Sequence, residues 1–224
     1  MLDTLDIETA PQPTAAVIWL HGLGADGRDF EPIVPELVRG GERAWRFVFP
    51  NAPIRPVTIN NGMKMRAWYD IDRSIGGEGP EDAAGFRATE ADVVALIARE
   101  EARGIPVARM VLGGFSQGGA VSLFTAPRLT QRLAGVLALS CYLPLRRELP
   151  GERQAANDGT PIFMAHGIAD PMLPLALGSA SRDILRKLGY TVEWHEYPMG
   201  HSVCVEEIAD IRRFLFRVLA KEPG

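Results

Sequence analysis

The stretch Met110-Val111-Leu112-Gly113-Gly114-Phe115-Ser116-Gln117-Gly118-Gly119 decides the fold. Its first three residues form a short apolar run of the kind buried in a parallel sheet. The residues from Gln117 to Ala126 have a helical pattern that Pro127 stops. Between strand and helix lies Gly-x-Ser-x-Gly. A serine there sits on a sharp turn with its hydroxyl projecting above the sheet, and glycines at 114 and 118 remove side chains that would collide. The helix N-terminus behind Ser116 favours developing negative charge. The motif says little in a bare loop and much between a strand and a helix.

The same alternation runs through the rest of the chain. Ala16–Leu20, Arg46–Phe49, Gly135–Leu139 and Ile162–Ala165 read as strands buried on both faces, and Thr191–Glu196 as an alternating strand. Asp82–Arg103, Leu175–Leu188 and Val203–Leu219 read as helices, with Gly104 and Gly189 just past the first two. Strands alternating with helices predict a parallel sheet covered on both faces, whose ligand sits at the carboxyl ends of the strands. No repeat, low-complexity segment or linker divides residues 1–224, so one domain is expected.

The residues that follow the strands carry the chemistry. After the first strand comes His21-Gly22-Leu23-Gly24-Ala25-Asp26-Gly27. Gly22, Gly24 and Gly27 spell the dinucleotide fingerprint, but the acid needed at the end of the next strand is missing from Phe47-Val48-Phe49-Pro50-Asn51. The better reading is a loop that aims the Leu23 N–H at the space above Ser116, with the Gln117 N–H as second donor. A serine needs a base. Of His21, His166, His195 and His201, chain order and position after a strand favour His201; His21 and His166 read as braces for their loops, and His195 as a strand residue. The loop after the preceding strand, Ala165 to Pro174, holds one acid, Asp170, which would orient His201. Asp158 precedes that strand and falls at the wrong rim.

Composition excludes other classes. The 224 residues carry 24 basic and 28 acidic side chains, net −4, with no basic block, so a nucleic-acid partner is not expected. Apolar types at 46% supply a core and exclude disorder. The acidic start, Met1 to Glu8, has no apolar signal segment, and no run approaches a membrane span; a cytoplasmic protein without stable membrane insertion is expected. Cys141 and Cys204 lack metal-ligand spacing and read as reduced, buried thiols.

Assembled, these residues resemble the phospholipase/carboxylesterase family of α/β-hydrolases, which includes acyl-protein thioesterases and small bacterial carboxylesterases. The likeness is carried by His21-Gly22-Leu23-Gly24 with Asp26, by Trp68-Tyr69-Asp70, by Gly113 to Gly119, by His166-Gly167 with Asp170 and Pro174, and by Gly200-His201. It implies a compact α/β-hydrolase, a mostly parallel central sheet with helices on both faces and little or no cap domain. It implies hydrolysis without a cofactor or metal, by Ser116, Asp170 and His201, with Leu23 and Gln117 as oxyanion donors. Pro56-Val57-Thr58-Ile59-Asn60 resembles the bacterial carboxylesterase branch, so esters of short-to-medium acyl chains are the first expectation. A thioesterase or lysophospholipase acting on long acyl chains is the alternative, and a non-catalytic binding protein is a third reading. The resemblance makes Ile71 to Glu81 a flap; Leu23, Ile71, Ile75, Met172 and Leu173 are the expected acyl contacts. The partner expected is a small ester or thioester, and the chain a monomer or homodimer.

Overall fold

The computed structural model describes residues 2–41, 43–72 and 81–220. In chain order its strands and α-helices are β1 (Thr4–Glu8), β2 (Ala15–Leu20), α1 (Val34–Val38), β3 (Trp45–Pro50), β4 (Ile54–Val57), β5 (Met63–Arg66), α2 (Ala83–Ala102), β6 (Met110–Phe115), α3 (Gln117–Thr125), β7 (Gly135–Leu139), α4 (Leu149–Glu152), β8 (Ile162–Gly167), α5 (Leu175–Lys187), β9 (Val192–Tyr197) and α6 (Val205–Leu219). Seven strands form one sheet in the order β1-β3-β2-β6-β7-β8-β9, and β4 and β5 form a separate hairpin. Only β1 runs antiparallel within the large sheet.

The continuous apolar runs follow from burial on two faces. Along β2, Ala16, Ile18 and Leu20 join a core layer containing Phe86, Val93 and Leu96 of α2, Phe124 of α3 and Leu185 of α5. Ala15, Val17 and Trp19 enter the opposite layer, with Leu37 of α1 and Ile211, Phe214 and Leu215 of α6. Side chains alternate across a strand, so a strand covered on both sides must be apolar at every position.

The sequence pattern did not disclose β1 or the β4–β5 hairpin. Thr4–Glu8 has no apolar run because ion pairs help hold this edge strand. Asp6 meets Arg99 of α2 and Arg103 at its C-cap, and Glu8 meets Arg46 of β3. Arg46 also pairs with Glu100, fully enclosed beneath the strand, at 2.7 Å. The final helix starts at Val205 rather than Val203, and Cys204 is its N-cap residue. That position leaves Cys204 half-buried, correcting the expectation of two buried thiols; Cys141 is buried, and both are free. No described helix is long and apolar enough to cross a membrane.

The topology positions the site. From β2 the chain moves outward through β3, then returns to lay β6 on the other side of β2 and continues through β7, β8 and β9. The strand order therefore reverses between β2 and β6, where open α/β sheets place ligands beyond the strand ends. Leu20 is in register with Gly114, so the turn after β2 lies beside the turn after β6.

Candidate active site

Ser116 lies between β6 and α3 with φ 54° and ψ −116°. A non-glycine residue held at such angles stores about 1–3 kcal/mol of strain and persists only where its surroundings impose it. Here the Ser116 N–H donates to Leu139 O at 2.8 Å, and glycines pack the turn onto β2. A Cβ at Gly118 would lie 2.2 Å from Leu20 O, and one at Gly114 2.6 Å from the same atom. The spacing of the motif is therefore a steric requirement of this turn against its neighbouring strand.

The chain brings His201 and Asp170 to Ser116 from the ends of β9 and β8. The two loops are bound to each other: Ile168 N–H donates to Tyr197 O at 2.9 Å and Ala169 N–H to Met199 O at 3.1 Å. His201 Nε2 stands 2.9 Å from Ser116 Oγ, and its Nδ1 2.7 Å from Asp170 Oδ2. The carboxylate can only accept, so Nδ1 carries the proton and Nε2 is left to accept the serine hydroxyl. Asp170 Oδ1 is held by the N–H groups of Met172 and Leu173, both at 2.9 Å. Burial pushes the Asp170 carboxyl up, but the Leu173 N–H, His201 and the Met172 N–H outweigh it and hold it below the usual aspartate value. The His201 ring rests on Phe115, centroids 4.7 Å apart. These groups can pass a proton from a serine hydroxyl to an imidazole whose charged form faces a carboxylate.

The loop after β2 lies alongside. A Cβ on Gly22 would be 3.6 Å from Ser116 Cβ. Among the described residues the Leu23 N–H has no protein acceptor. Gln117 opens α3, so its N–H has no acceptor within the helix. His21 serves the loop as expected: Ala52 N–H donates to Nε2 at 3.0 Å, which leaves the proton on Nδ1, 2.7 Å from Gly22 O. Burial lowers the His21 pKa and keeps the ring neutral. His166 likewise braces its loop, with Nε2 2.8 Å from Leu173 O. His195 is 2.9 Å from Glu193 on β9 and stacks on Phe163, away from Ser116.

The expected acyl contacts are placed unevenly. Leu23 packs against the first core layer, and Ile71 is buried in that layer. Met172 is 69% exposed while Leu173 is 2% exposed, so one faces solvent and the other is enclosed. Ile75 and most of the segment read as a flap lie outside the described residues. The pattern did not disclose the side-chain role of Gln117. Its Oε1 accepts from Trp68 N–H at 3.0 Å and its Nε2 donates to Tyr69 O at 2.9 Å. Nor did it disclose that Trp68 Nε1 donates to His21 O at 2.8 Å. The available signal was Trp68-Tyr69-Asp70, a compact motif with no strand or helix pattern of its own.

Comparison with known proteins agrees with this architecture. The family model described as Phospholipase/Carboxylesterase matches residues 5–219. The chain is 44% identical over 217 residues to acyl-protein thioesterase 1 of Neurospora crassa, an alignment that covers 93% of this chain and 88% of that one. The structure of Arabidopsis thaliana SOBER1 superposes with a TM-score of 0.85 at 31% identity, over 92% of this chain and 99% of that one. Zea mays acyl-protein thioesterase 2 gives a TM-score of 0.83 at 26% identity, over 98% and 100% of the two chains. The chain belongs to the phospholipase/carboxylesterase family of α/β-hydrolases and is an enzyme of the esterase and thioesterase kind.

Proposed function

We propose that the protein is an acyl thioesterase that also cleaves oxygen esters, working through an acyl-enzyme on Ser116. The observation that carries the chemistry is the hydrogen-bonded chain Ser116–His201–Asp170, at 2.9 and 2.7 Å, on a strained serine turn. Ser116 Oγ attacks the carbonyl carbon while its proton passes to His201 Nε2. The tetrahedral oxyanion is received by the N–H groups of Leu23 and Gln117. As the carbon–sulfur or carbon–oxygen bond breaks, His201 gives the proton to the leaving group. Water, deprotonated by the same ring, attacks the acyl-serine and releases the carboxylic acid and the serine hydroxyl.

The long-chain thioester reading takes precedence over the short-to-medium ester reading because the relatives at about 40% identity are acyl-protein thioesterases. The proposed partner is a small acyl thioester or ester, or an acylated chain that presents one. The free thiols Cys141 and Cys204 support a reducing compartment such as the cytoplasm.

A fluorophosphonate probe tests the chemistry, and a substrate series tests the specificity. The expected result is an adduct on Ser116 that is lost in Ser116→Ala, with turnover lowered by about 10⁶-fold. Acyl thioesters of increasing length, run beside p-nitrophenyl esters and lysolipids, should give kcat/KM rising toward long chains. Absence of the adduct overturns the enzyme mechanism. A maximum at short oxygen esters, with poor thioester turnover, restores the carboxylesterase reading.

A further inference from the structure

We propose that Trp68 is a positioning residue that sets the separation and aim of the two oxyanion donors. The inference rests on the acyl-transfer reading above. It starts from a backbone problem. Residues 67–69 are almost completely buried, yet they belong to neither sheet. Their main-chain groups must find partners elsewhere, since an orphaned buried N–H or carbonyl is costly. Ala67 N–H donates to Pro53 O at 3.1 Å, and Thr89 Oγ1 donates to Trp68 O. The Trp68 N–H and the Tyr69 carbonyl are both met by one side chain, the Gln117 amide. Gln117 thus offers its side chain to this segment as a strand would, while its main-chain N–H stays in the first turn of α3, next to Ser116 and without an acceptor in the helix.

The indole makes the second connection. Trp68 Nε1 donates to His21 O at 2.8 Å, and the two rings lie 5.0 Å apart between centroids. The ladder between β2 and β6 ends at Leu20. His21 O is therefore past the last sheet bond, and it accepts from the indole N–H instead. Turning the His21–Gly22 peptide plane turns the start of Gly22–Leu23 with it. Gly24 N–H is tied to Arg66 O at 2.9 Å, so the loop is held on both sides of Leu23. One residue therefore touches both segments that supply the donors: Gln117 through the main chain, and the Leu23 loop through the ring. Trp68 is fully buried, so water does not compete for either bond. A tryptophan that merely filled the core would satisfy its N–H on any nearby carbonyl; this one meets the peptide directly before the one that carries the Leu23 N–H.

The test uses Trp68→Phe in the full chain and, at the same position, β-(3-benzothienyl)alanine, which keeps the fused-ring shape and replaces the N–H by sulfur. Each is compared with the parent for kcat and KM on one acyl thioester and one p-nitrophenyl ester. Each is also titrated with an alkyl trifluoromethyl ketone, whose serine adduct carries the tetrahedral oxyanion. The expected result is a kcat lower by about tenfold to a hundredfold, short of the loss for deleting a donor outright, with KM within about twofold. Ketone affinity should fall in parallel with kcat. If Trp68→Phe does not fold, the benzothienyl variant decides alone. Unchanged kcat and ketone affinity, or a raised KM with kcat intact, overturns the positioning role and leaves the hydrolase reading in place. If the parent takes no fluorophosphonate label and turns over neither substrate, both readings fall together.

Discussion

Asp170 divides its two oxygens between different tasks, and His201 depends on the division. Oδ2 faces His201 Nδ1 at 2.7 Å, while Oδ1 is occupied by two backbone N–H groups of its own loop. The carboxylate cannot swing away without leaving those donors unpaired, so the imidazole is held in the tautomer that can take a proton from Ser116. In Asp170→Asn the amide can present its NH2 group to Nδ1 and favour the wrong tautomer. We expect kcat to fall by about 10³–10⁴-fold with KM little changed. The lowered carboxyl pKa stabilises the folded state above the unfolded aspartate value of about 3.9 and ceases to do so as pH falls through the lower folded value. The variant should lack this part of the acid-side loss. Steady-state kinetics and melts between about pH 2 and 5 read both effects.

Gly118 is required by space. A methyl group there would meet Leu20 O at 2.2 Å, and that atom belongs to the backbone of β2, with no flexible side chain to give way. Gly118→Ala should push α3 away from β2, lower stability by about 1–3 kcal/mol or more, and separate the Gln117 N–H from Leu23. Chemical denaturation and fluorophosphonate labelling rates check this. Full stability with full labelling would contradict the close packing of the turn.

Glu207 presents a buried carboxyl in the first turn of α6. Both of its oxygens lack a well-formed hydrogen bond. Burial pushes its pKa up to about 8, with the Cys204 N–H favouring the charged form. The folded state thus keeps a proton that the unfolded chain loses from about pH 4.3 upward. Stability should fall as pH rises through that window, by at most about 1.4 kcal/mol per unit, and level off above the folded value. Glu207→Gln removes the titration. Its melting temperature should gain on the parent as pH goes from about 5 to 8.5, whereas a constant difference would mean that Glu207 is not the group responsible.

Glu100 supplies a contrast between stability and chemistry. Its carboxylate pairs with Arg46, Arg99 and Arg103 beneath the edge strand β1. Glu100→Ala leaves the buried Arg46 with Glu8 alone, and removing one member of a buried pair costs about 3–5 kcal/mol. The expected outcome is a marked drop in unfolding free energy with kcat unchanged at temperatures where the variant is folded. A large kcat effect would show that the edge strand is coupled to the site.

The amino-acid sequence alone determined those features that one local segment can specify. The Ser116 turn was legible because the glycines it needs lie within two positions of the serine, although the contacts that hold the turn come from Leu20 and Leu139. The paired apolar layers were legible because two-sided burial leaves an uninterrupted run. Asp170 and His201 were reachable because chain order and strand ends restrict where an acid and a base can stand. The tertiary structure alone decided the rest, because it depends on groups far apart in the chain. Thr4–Glu8 becomes a strand through arginines some ninety residues away. Met172 and Leu173 are neighbours with opposite exposure although both donate to Asp170 Oδ1; Leu173 alone also meets the buried His166 through its carbonyl. Gln117 and Trp68 read as a turn residue and a core ring until folding set an amide against a strand-like backbone 48 and 49 positions away. Such pairings satisfy buried polar groups, and the chain cannot reveal which group will be left in need until its neighbours have been placed.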